Sequence, residues 1–438
     1  MSNIIAKQNE TTKSFILLSC LICVIGGLFY YYEYVLRVAP SVMHNDLMHD
    51  FKLTATQYGD MVAYYYYAYT PLQIFVGLLI DKYGTRKLLT MACVACTVGA
   101  FIFAGCHSVF LLKLSRFLMG FGSAFAFVGG LKLASVWFPA RWFASVSGII
   151  STLGMFGGMT GDIVLTYFIS LRDWRYGILL TAWTGVALTI IVVLCIKDNG
   201  NHKTSEPANS VDFVILMKKL WQALKNRNIW LAGFIGFILY LSMSAFAELW
   251  GVPFLKVVYN LSENTAAFAV SFIFLGWAVG GPIVCWFSDI LTNRRLLLRL
   301  GAVFSASILA VLIYVHNFSG VMLYTLLFLF GFFASAELLV FAIGREQSSP
   351  YIAGTAVSLI NLIVMVGGTI FQPLLGYLLD LTWQGQIING VRIYSAGNYK
   401  FAFSAILISF VIGIILTFVI RETHSGNAVN VSAQAENS

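Results

Sequence analysis

Charge is scarce in this chain: 11% of its 438 residues are Asp, Glu, Lys or Arg, and only 8 are proline. A soluble domain carries roughly 25% charged residues, so the material for a water-facing surface is missing. No HExxH, phosphate loop or serine nucleophile elbow interrupts the sequence, which argues against an enzyme and gives no reason to expect a cofactor. The 7 cysteines are odd in number and irregular in spacing, so they describe no disulfide framework. Cys20 and Cys23 form a CxxC without the second pair that a structural zinc site needs. The net charge is +8, yet no basic strip with interleaved aromatics accompanies it, and nucleic acid is not expected as a partner. No cleavable signal is expected either, because the first 13 residues are polar and the apolar run after them is too long for a signal core.

What the chain has is apolar length: 59% of its residues are hydrophobic and 15% aromatic. A membrane-spanning helix takes about 20 largely apolar residues. Twelve segments meet that description, at 14–37, 57–80, 88–107, 109–136, 143–170, 175–196, 229–256, 264–288, 296–316, 320–343, 352–379 and 399–420. The expected fold is an all-α membrane protein. A segment at 1–13 precedes a six-helix unit at 14–196, and a polar, basic linker at 197–228 leads to a second six-helix unit at 229–420. A disordered tail at 421–438 ends the chain. In the linker Phe213, Met217, Leu220 and Leu224 recur at helical spacing among lysines, which fits a helix lying along anionic lipid or a solvated linker helix. Most Lys and Arg residues fall in alternate loops, beginning with the first, so both termini are expected in the cytoplasm of a bacterial inner-membrane protein.

The two units repeat one another. Asp81, Arg86, Lys87, Leu88 and Leu89 align with Asp289, Arg294, Arg295, Leu296 and Leu297 at an offset of 208, and Gly157-Gly158 with Gly367-Gly368 at 210. Repeated halves place a binding site at their interface near the membrane centre. Gly77-x-Leu79-x-Asp81-Lys82-x-Gly84-x-Arg86-Lys87, between spans 2 and 3, resembles the loop signature of the major facilitator superfamily. The resemblance implies two pseudo-symmetric six-helix bundles and a charge latch made by Gly77, Asp81, Gly84, Arg86 and Lys87, with Asp289 and Arg294 in the second copy. There Cys285 and Thr292 replace the two glycines. Arg116-x-x-x-Gly120-x-Gly122 resembles the family's arginine motif in span 4. Gly148, Gly154, Gly157 and Gly158 resemble the span 5 motif of drug/proton antiporters, but Met155 occupies the proline position, which weakens an efflux reading. Tyr30 to Met43 and Tyr65 to Gln73 resemble the phagosomal nutrient transporters of intracellular bacteria, whose members import amino acids or nucleosides; a related branch carries siderophores.

Inside the spans a polar constellation stands out. Tyr30, Glu33, Tyr34 and Arg37 share one face of span 1. An acid and a base one turn apart can neutralise each other or part to receive a zwitterion, with ammonium on Glu33 and carboxylate on Arg37. Tyr240, Ser244 and Glu248 form a stripe in span 7. Asn361 and Gln372 share a face of span 11, either as interhelical bonds or as solute contacts. Glu33, Glu248, Glu337 and Asp162 are candidate proton carriers, Asp162 with the alternative of a solvated position near the outer surface. Arg116 either tunes a nearby acid or bonds backbone carbonyls. Lys132 is expected to contact a helix packed on span 4 or to reach cytoplasmic water. Of the tyrosines at 64–67, at most two can face inward. These features predict a monomeric carrier that imports a small zwitterion with protons by alternating access, with membrane lipid as its only other partner. A nucleoside or siderophore carrier, an effluxer and a transport-dead sensor are the alternatives.

Overall fold

The computed structural model describes residues 2–197, 213–291, 293–315, 317–349, 351–388 and 390–422. Most of the expected linker (198–212), Thr292 and the tail from 423 onward lie outside the described residues. The first half runs as α1 (Ser2–Val38), a 3₁₀ turn (Ala39–Met43), α2 (His44–Phe51), α3 (Ala55–Leu72), α4 (Val76–Tyr83), α5 (Thr85–Gly105), α6 (Val109–Ser123), α7 (Ala126–Trp137), α8 (Ala140–Leu171) and α9 (Trp174–Cys195). After α10 (Phe213–Leu224) the second half follows as α11 (Arg227–Leu241), a π-helical stretch (Ser242–Trp250), α12 (Gly251–Val258), α13 (Glu263–Leu291), α14 (Arg294–Tyr314) and α15 (Gly320–Ala334). A 3₁₀ turn (Ser335–Leu338), α16 (Leu339–Glu346), α17 (Ala353–Leu381), a small hairpin of β1 (Ile387–Ile388) and β2 (Val391–Arg392), and α18 (Ala396–Val419) complete it. Helix α1 begins at Ser2, so the polar residues ahead of the first span continue its helix.

Among the described residues eleven helices are long and apolar enough to cross a membrane. The second expected span, 57–80, falls short of that measure for a physical reason. It is divided at residues 73–75 into α3 and α4, with Pro71 inside the last turn of α3, and its tyrosines and Asp60 dilute its apolarity. The breaks after Ser123 and Ala334, in spans 4 and 10, recur one repeat apart. Helix starts are secured by side chains. Thr54 and Ser395 form capping boxes with Gln57 and Asn398, and Asp173 caps α9; each cap contributes about 1 kcal/mol. Helix α10 turns Leu216 and Ala223 into protein and leaves Trp221 exposed.

Glycines bring the helices together in repeat-related pairs. Gly120 lies against the backbone of Tyr65, and Gly331 against that of Ile273, one repeat later. Between the halves, Gly158 of α8 receives the ring of Phe274, and Gly368 of α17 receives the ring of Tyr66. Tyr66 and Phe274 are themselves 208 residues apart, so each half inserts the same ring position into the same glycine of the other. Gly77 of the loop signature has open space where a side chain would stand.

The molecule has two distinct ends. At the hairpin end α17 meets the start of α3. Asp380 Oδ2 accepts from the backbone N–H (2.8 Å) and hydroxyl (2.5 Å) of Thr56. Its Oδ1 accepts from Arg392 Nη1 (3.1 Å) and the Tyr394 hydroxyl (2.5 Å). Tyr394 in turn accepts from Ala55 N–H at 3.1 Å. A carboxylate and a phenol of one half thus satisfy two free N–H groups at a helix start of the other. At the opposite, basic end, Asp81 pairs with Lys132 (2.7 Å) and Arg86 donates to Val193 O (2.7 Å). Arg294 pairs with Glu346 (2.6 Å) and Asp289 (3.5 Å), and Glu422 accepts from the N–H groups of Arg294 and Arg295. Gly84 has φ +86°, a left-handed conformation that suits glycine at this turn.

Candidate functional site

The buried charges of α1 and the π-helical stretch meet at the centre of the interface. Arg37 is 2% exposed, Glu33 and Glu248 0%. Arg37 Nη2 donates to Glu33 Oε1 at 3.0 Å, Nε to the Tyr65 hydroxyl at 3.0 Å, and Nη1 to the Tyr240 hydroxyl at 3.3 Å, with Glu248 Oε1 3.6 Å away. Tyr65 donates to Glu33 Oε2 at 2.7 Å, Tyr240 to Glu248 Oε1 at 3.3 Å, and Tyr66 to Glu248 Oε2. The rings of Tyr34, Tyr69 and Tyr65 lie 4.3, 5.0 and 5.2 Å from the guanidinium carbon, within cation–π range. Arg37, Glu33, Glu248, Tyr65 and Tyr240 each bond more than one member of this cluster, which couples their positions.

Backbone irregularity positions these groups. Pro40 lacks the N–H that would continue the ladder of α1, and a 3₁₀ turn takes over just past Arg37. In span 7 a straight α-helix would leave Tyr240 and Glu248 about 80° apart. The π-helical turn, with its smaller angular step, puts both on one face.

A cavity of about 500 Å³ adjoins the cluster. Tyr30, Tyr34, Arg37 and Tyr240 form one wall, and the cavity extends toward the basic end as far as Gly148 and Cys285. At the hairpin end it is shut. Trp250 Nε1 donates to Gln372 O (3.0 Å), Tyr58 donates to Pro40 O (2.6 Å), and Gly59 and Gly376 each lie against backbone of the other half.

Several expected site residues take other places. Gln372 does not line the cavity; its amide donates to Ser244 O at 2.8 Å, which makes it an interhelical tie. Its stripe partner Asn361 does line the cavity and donates to Gln73 Oε1 at 2.8 Å. Arg116 holds the carbonyls of Leu36 (2.7 Å) and Arg37 (3.3 Å), not a carboxylate, and so secures the end of α1. Asp162 is not solvated: it is 0% exposed and accepts from Ser41 at 2.6 Å, away from the cavity. Glu337 lines the cavity wall opposite Arg37. Tyr65 and Tyr66 are the two inward tyrosines of the run, while Tyr67 turns to Asp60. Tyr69, Phe127 and Trp277 line or flank the site without having been singled out in the sequence. An aromatic at helical spacing looks the same whether it faces a core or a cavity.

Two helical halves around a central, largely apolar cavity that holds a few buried charges and is shut at one end have the architecture of a multi-pass membrane transporter of small molecules. Residues 20–372 match the model of the Major Facilitator Superfamily, and the chain belongs to that family. It is 26% identical to the uncharacterized transporter YybO of Bacillus subtilis, over 80% of this chain and 85% of that one. It is 24% identical to the probable sulfoacetate transporter SauU of Cupriavidus necator, over 81% and 86%. Its fold resembles the crystal structure of a bacterial homolog to the human lysosomal transporter Spinster, with TM-score 0.72 at 14% identity, over 92% of this chain and 97% of that one.

Proposed function

We propose that the protein imports a small zwitterion, an α-amino acid or a close analogue, together with a proton, by alternating access. The observation that carries this reading is Arg37, at a cavity wall and shared between Glu33 of its own half and Glu248 of the other. With all three ionised the cluster holds one excess negative charge. A solute carboxylate reaches the guanidinium only by displacing one glutamate. The solute's ammonium then neutralises that glutamate and a proton neutralises the other, so the loaded site carries no net charge. The same exchange removes the Arg37–Glu248 contact between the halves and frees them to rock. In this assignment Glu33 and Glu248 couple the proton, while Arg116 and Asp162 hold the scaffold. The concentration of Lys and Arg at the basic end supports placing that end, and both termini, in the cytoplasm of a bacterial inner membrane. The structure is then the inward-facing state of a monomer.

Uptake into proteoliposomes tests this. It should rise with an inward proton gradient and fall to background in Arg37→Ala and Glu33→Gln. Gradient-independent uptake overturns the coupling, and normal uptake in both variants overturns the site. A second reading, an organic anion carrier, is favoured by the likeness to the probable sulfoacetate transporter. An anion brings no ammonium, so a neutral loaded site needs one more proton for a monoanion and two more for a dianion such as sulfoacetate. Competition of labelled amino acid by sulfoacetate, and the charge moved per solute, separate the two.

A further inference from the structure

Two buried polar groups of the cavity remain without partners, and both lie on the wall facing Arg37. Glu337 is 2% exposed and lines the cavity, and its carboxylate has no hydrogen bond or ion pair among the described residues. Trp277 is 8% exposed and lines the same wall; its indole N–H has no acceptor among the described residues and would not be satisfied by a cation, so it is the ring face that bears on one. The Arg37 side is different, since there each charged atom is bonded within the cluster. A charged carboxylate buried here without a partner is unfavourable by several kcal/mol, and a cationic group arriving from outside would pair it. The backbone agrees: Glu337 sits in the 3₁₀ turn that separates α15 from α16, an irregularity that directs its side chain off the regular helix face.

We propose that Glu337 and Trp277 form a distal subsite for a second cationic group, and that the preferred substrate is a dibasic amino acid with a terminal amine or guanidinium. The inference rests on the reading that Arg37 takes the solute's carboxylate. A flexible methylene chain fits between the two poles, where Met155, Met365, Phe127 and Leu338 line the cavity. The volume of about 500 Å³ falls in the roughly 300–1,000 Å³ range that encloses drug-sized ligands and exceeds the needs of a bare α-amino-acid head. Trp277 offers an aromatic face to the cation, and the Glu337 carboxylate balances the extra positive charge such a solute carries.

The test compares cationic amino acids with neutral counterparts on the full-length protein: arginine against its isostere citrulline, and lysine against norleucine, which lacks the terminal amine, by equilibrium binding in detergent and uptake in proteoliposomes. The wild type should bind the cationic member roughly tenfold or more tightly. Glu337→Gln should erase that preference while leaving citrulline and norleucine binding unchanged, and Trp277→Phe should reduce it. Unchanged citrulline binding also certifies that the variant is folded. Equal binding of both members by the wild type overturns the subsite. So does a Glu337→Gln protein that loses gradient dependence for every solute, since Glu337 would then be a proton carrier. If no amino acid binds, or binding survives Arg37→Ala, the reading of the Arg37 site fails instead.

Discussion

The two ends of the cleft are held by different kinds of contact. At the hairpin end the contacts run between the halves: Asp380 bonds Thr56, Tyr394 bonds Ala55, and the Trp250 ring packs edge-on against His44 and Tyr58. At the basic end the ion pairs stay within one half, Asp81–Lys132 in the first and Arg294–Glu346 in the second. The difference separates two tasks. In the proposed alternating-access cycle, contacts across the cleft determine which end is shut and have to break, whereas contacts within a half keep its six helices moving as one body. The repeat-related positions also differ in partner: Asp81 pairs with Lys132 whereas Asp289 meets Arg294, and Arg86 donates to the Val193 carbonyl whereas Arg294 pairs with Glu346. The repeated Asp and Arg positions therefore hold their own halves by different partners.

The comparison breaks most completely at the glycines that let backbones touch across the hairpin end. A side chain at Gly59 would overlap the carbonyl of Gln372, and one at Gly376 that of Ala55. Backbone cannot yield as a flexible side chain does. Gly59→Leu or Gly376→Leu should prevent this end from closing. Uptake should then fall to background, while a cysteine placed in the hairpin becomes no closer to α3 than in the opened state, as read by spin-label distances. A wild-type distance in either variant would mean that the end closes by other contacts.

Next in size is Asp380→Ala, which removes four accepted hydrogen bonds at once. Two of the donors, Thr56 and Tyr394, are then left at a partly buried interface, a loss of about 1–3 kcal/mol for such groups. That shifts the balance between the two states roughly five- to a hundredfold toward an open hairpin end. Thiol labelling of a cysteine introduced beside Trp250 should accelerate accordingly. Labelling at the wild-type rate would show that Trp250 and the glycine contacts suffice.

How much of this was legible in the sequence depends on the range of each interaction. Tyr30, Glu33, Tyr34 and Arg37 share a face because their spacing is helical, and the Glu33–Arg37 bond of 3.0 Å is local to one helix. The repeat of Gly157-Gly158 in Gly367-Gly368 was also visible, and the structure adds what the glycines receive. Asp380, by contrast, carries no signal, since its partners are 324 residues away at Thr56 and 12 and 14 residues away beyond a turn. Glu248 could be suspected as a buried acid, but its meeting with Arg37 needs the π-helical turn, which sequence periodicity does not announce. Gln372 had a plausible spacing and the wrong direction. Periodicity identifies a face and not what that face meets.

Within the interface the two ring-in-glycine contacts are geometrically alike and chemically unequal. Tyr66 donates to Glu248, whereas its repeat mate Phe274 has no hydroxyl. Tyr66→Phe should therefore retain packing and lose one buried bond to a carboxylate, a loss of about 1.5–3 kcal/mol. Its signature should be a fall in uptake out of proportion to the fall in melting temperature. An equal fall in stability and uptake would assign Tyr66 to packing alone.

The smallest effect is expected at the basic end, from Lys132→Ala. The Asp81–Lys132 pair is short, but its side chains are 50% and 35% exposed, and pairs so close to water contribute about 0–1 kcal/mol. Because both residues belong to one half, the substitution should leave the spin-label distance across the hairpin end unchanged and lower uptake at most a few-fold. High salt should reproduce the loss in the wild type, since screening acts on exposed pairs. If Lys132→Ala instead opened the hairpin end as Asp380→Ala does, the separation between contacts that hold a half and contacts that join the halves would fail, and Asp81 would have to be counted among the groups that set the state of the cleft.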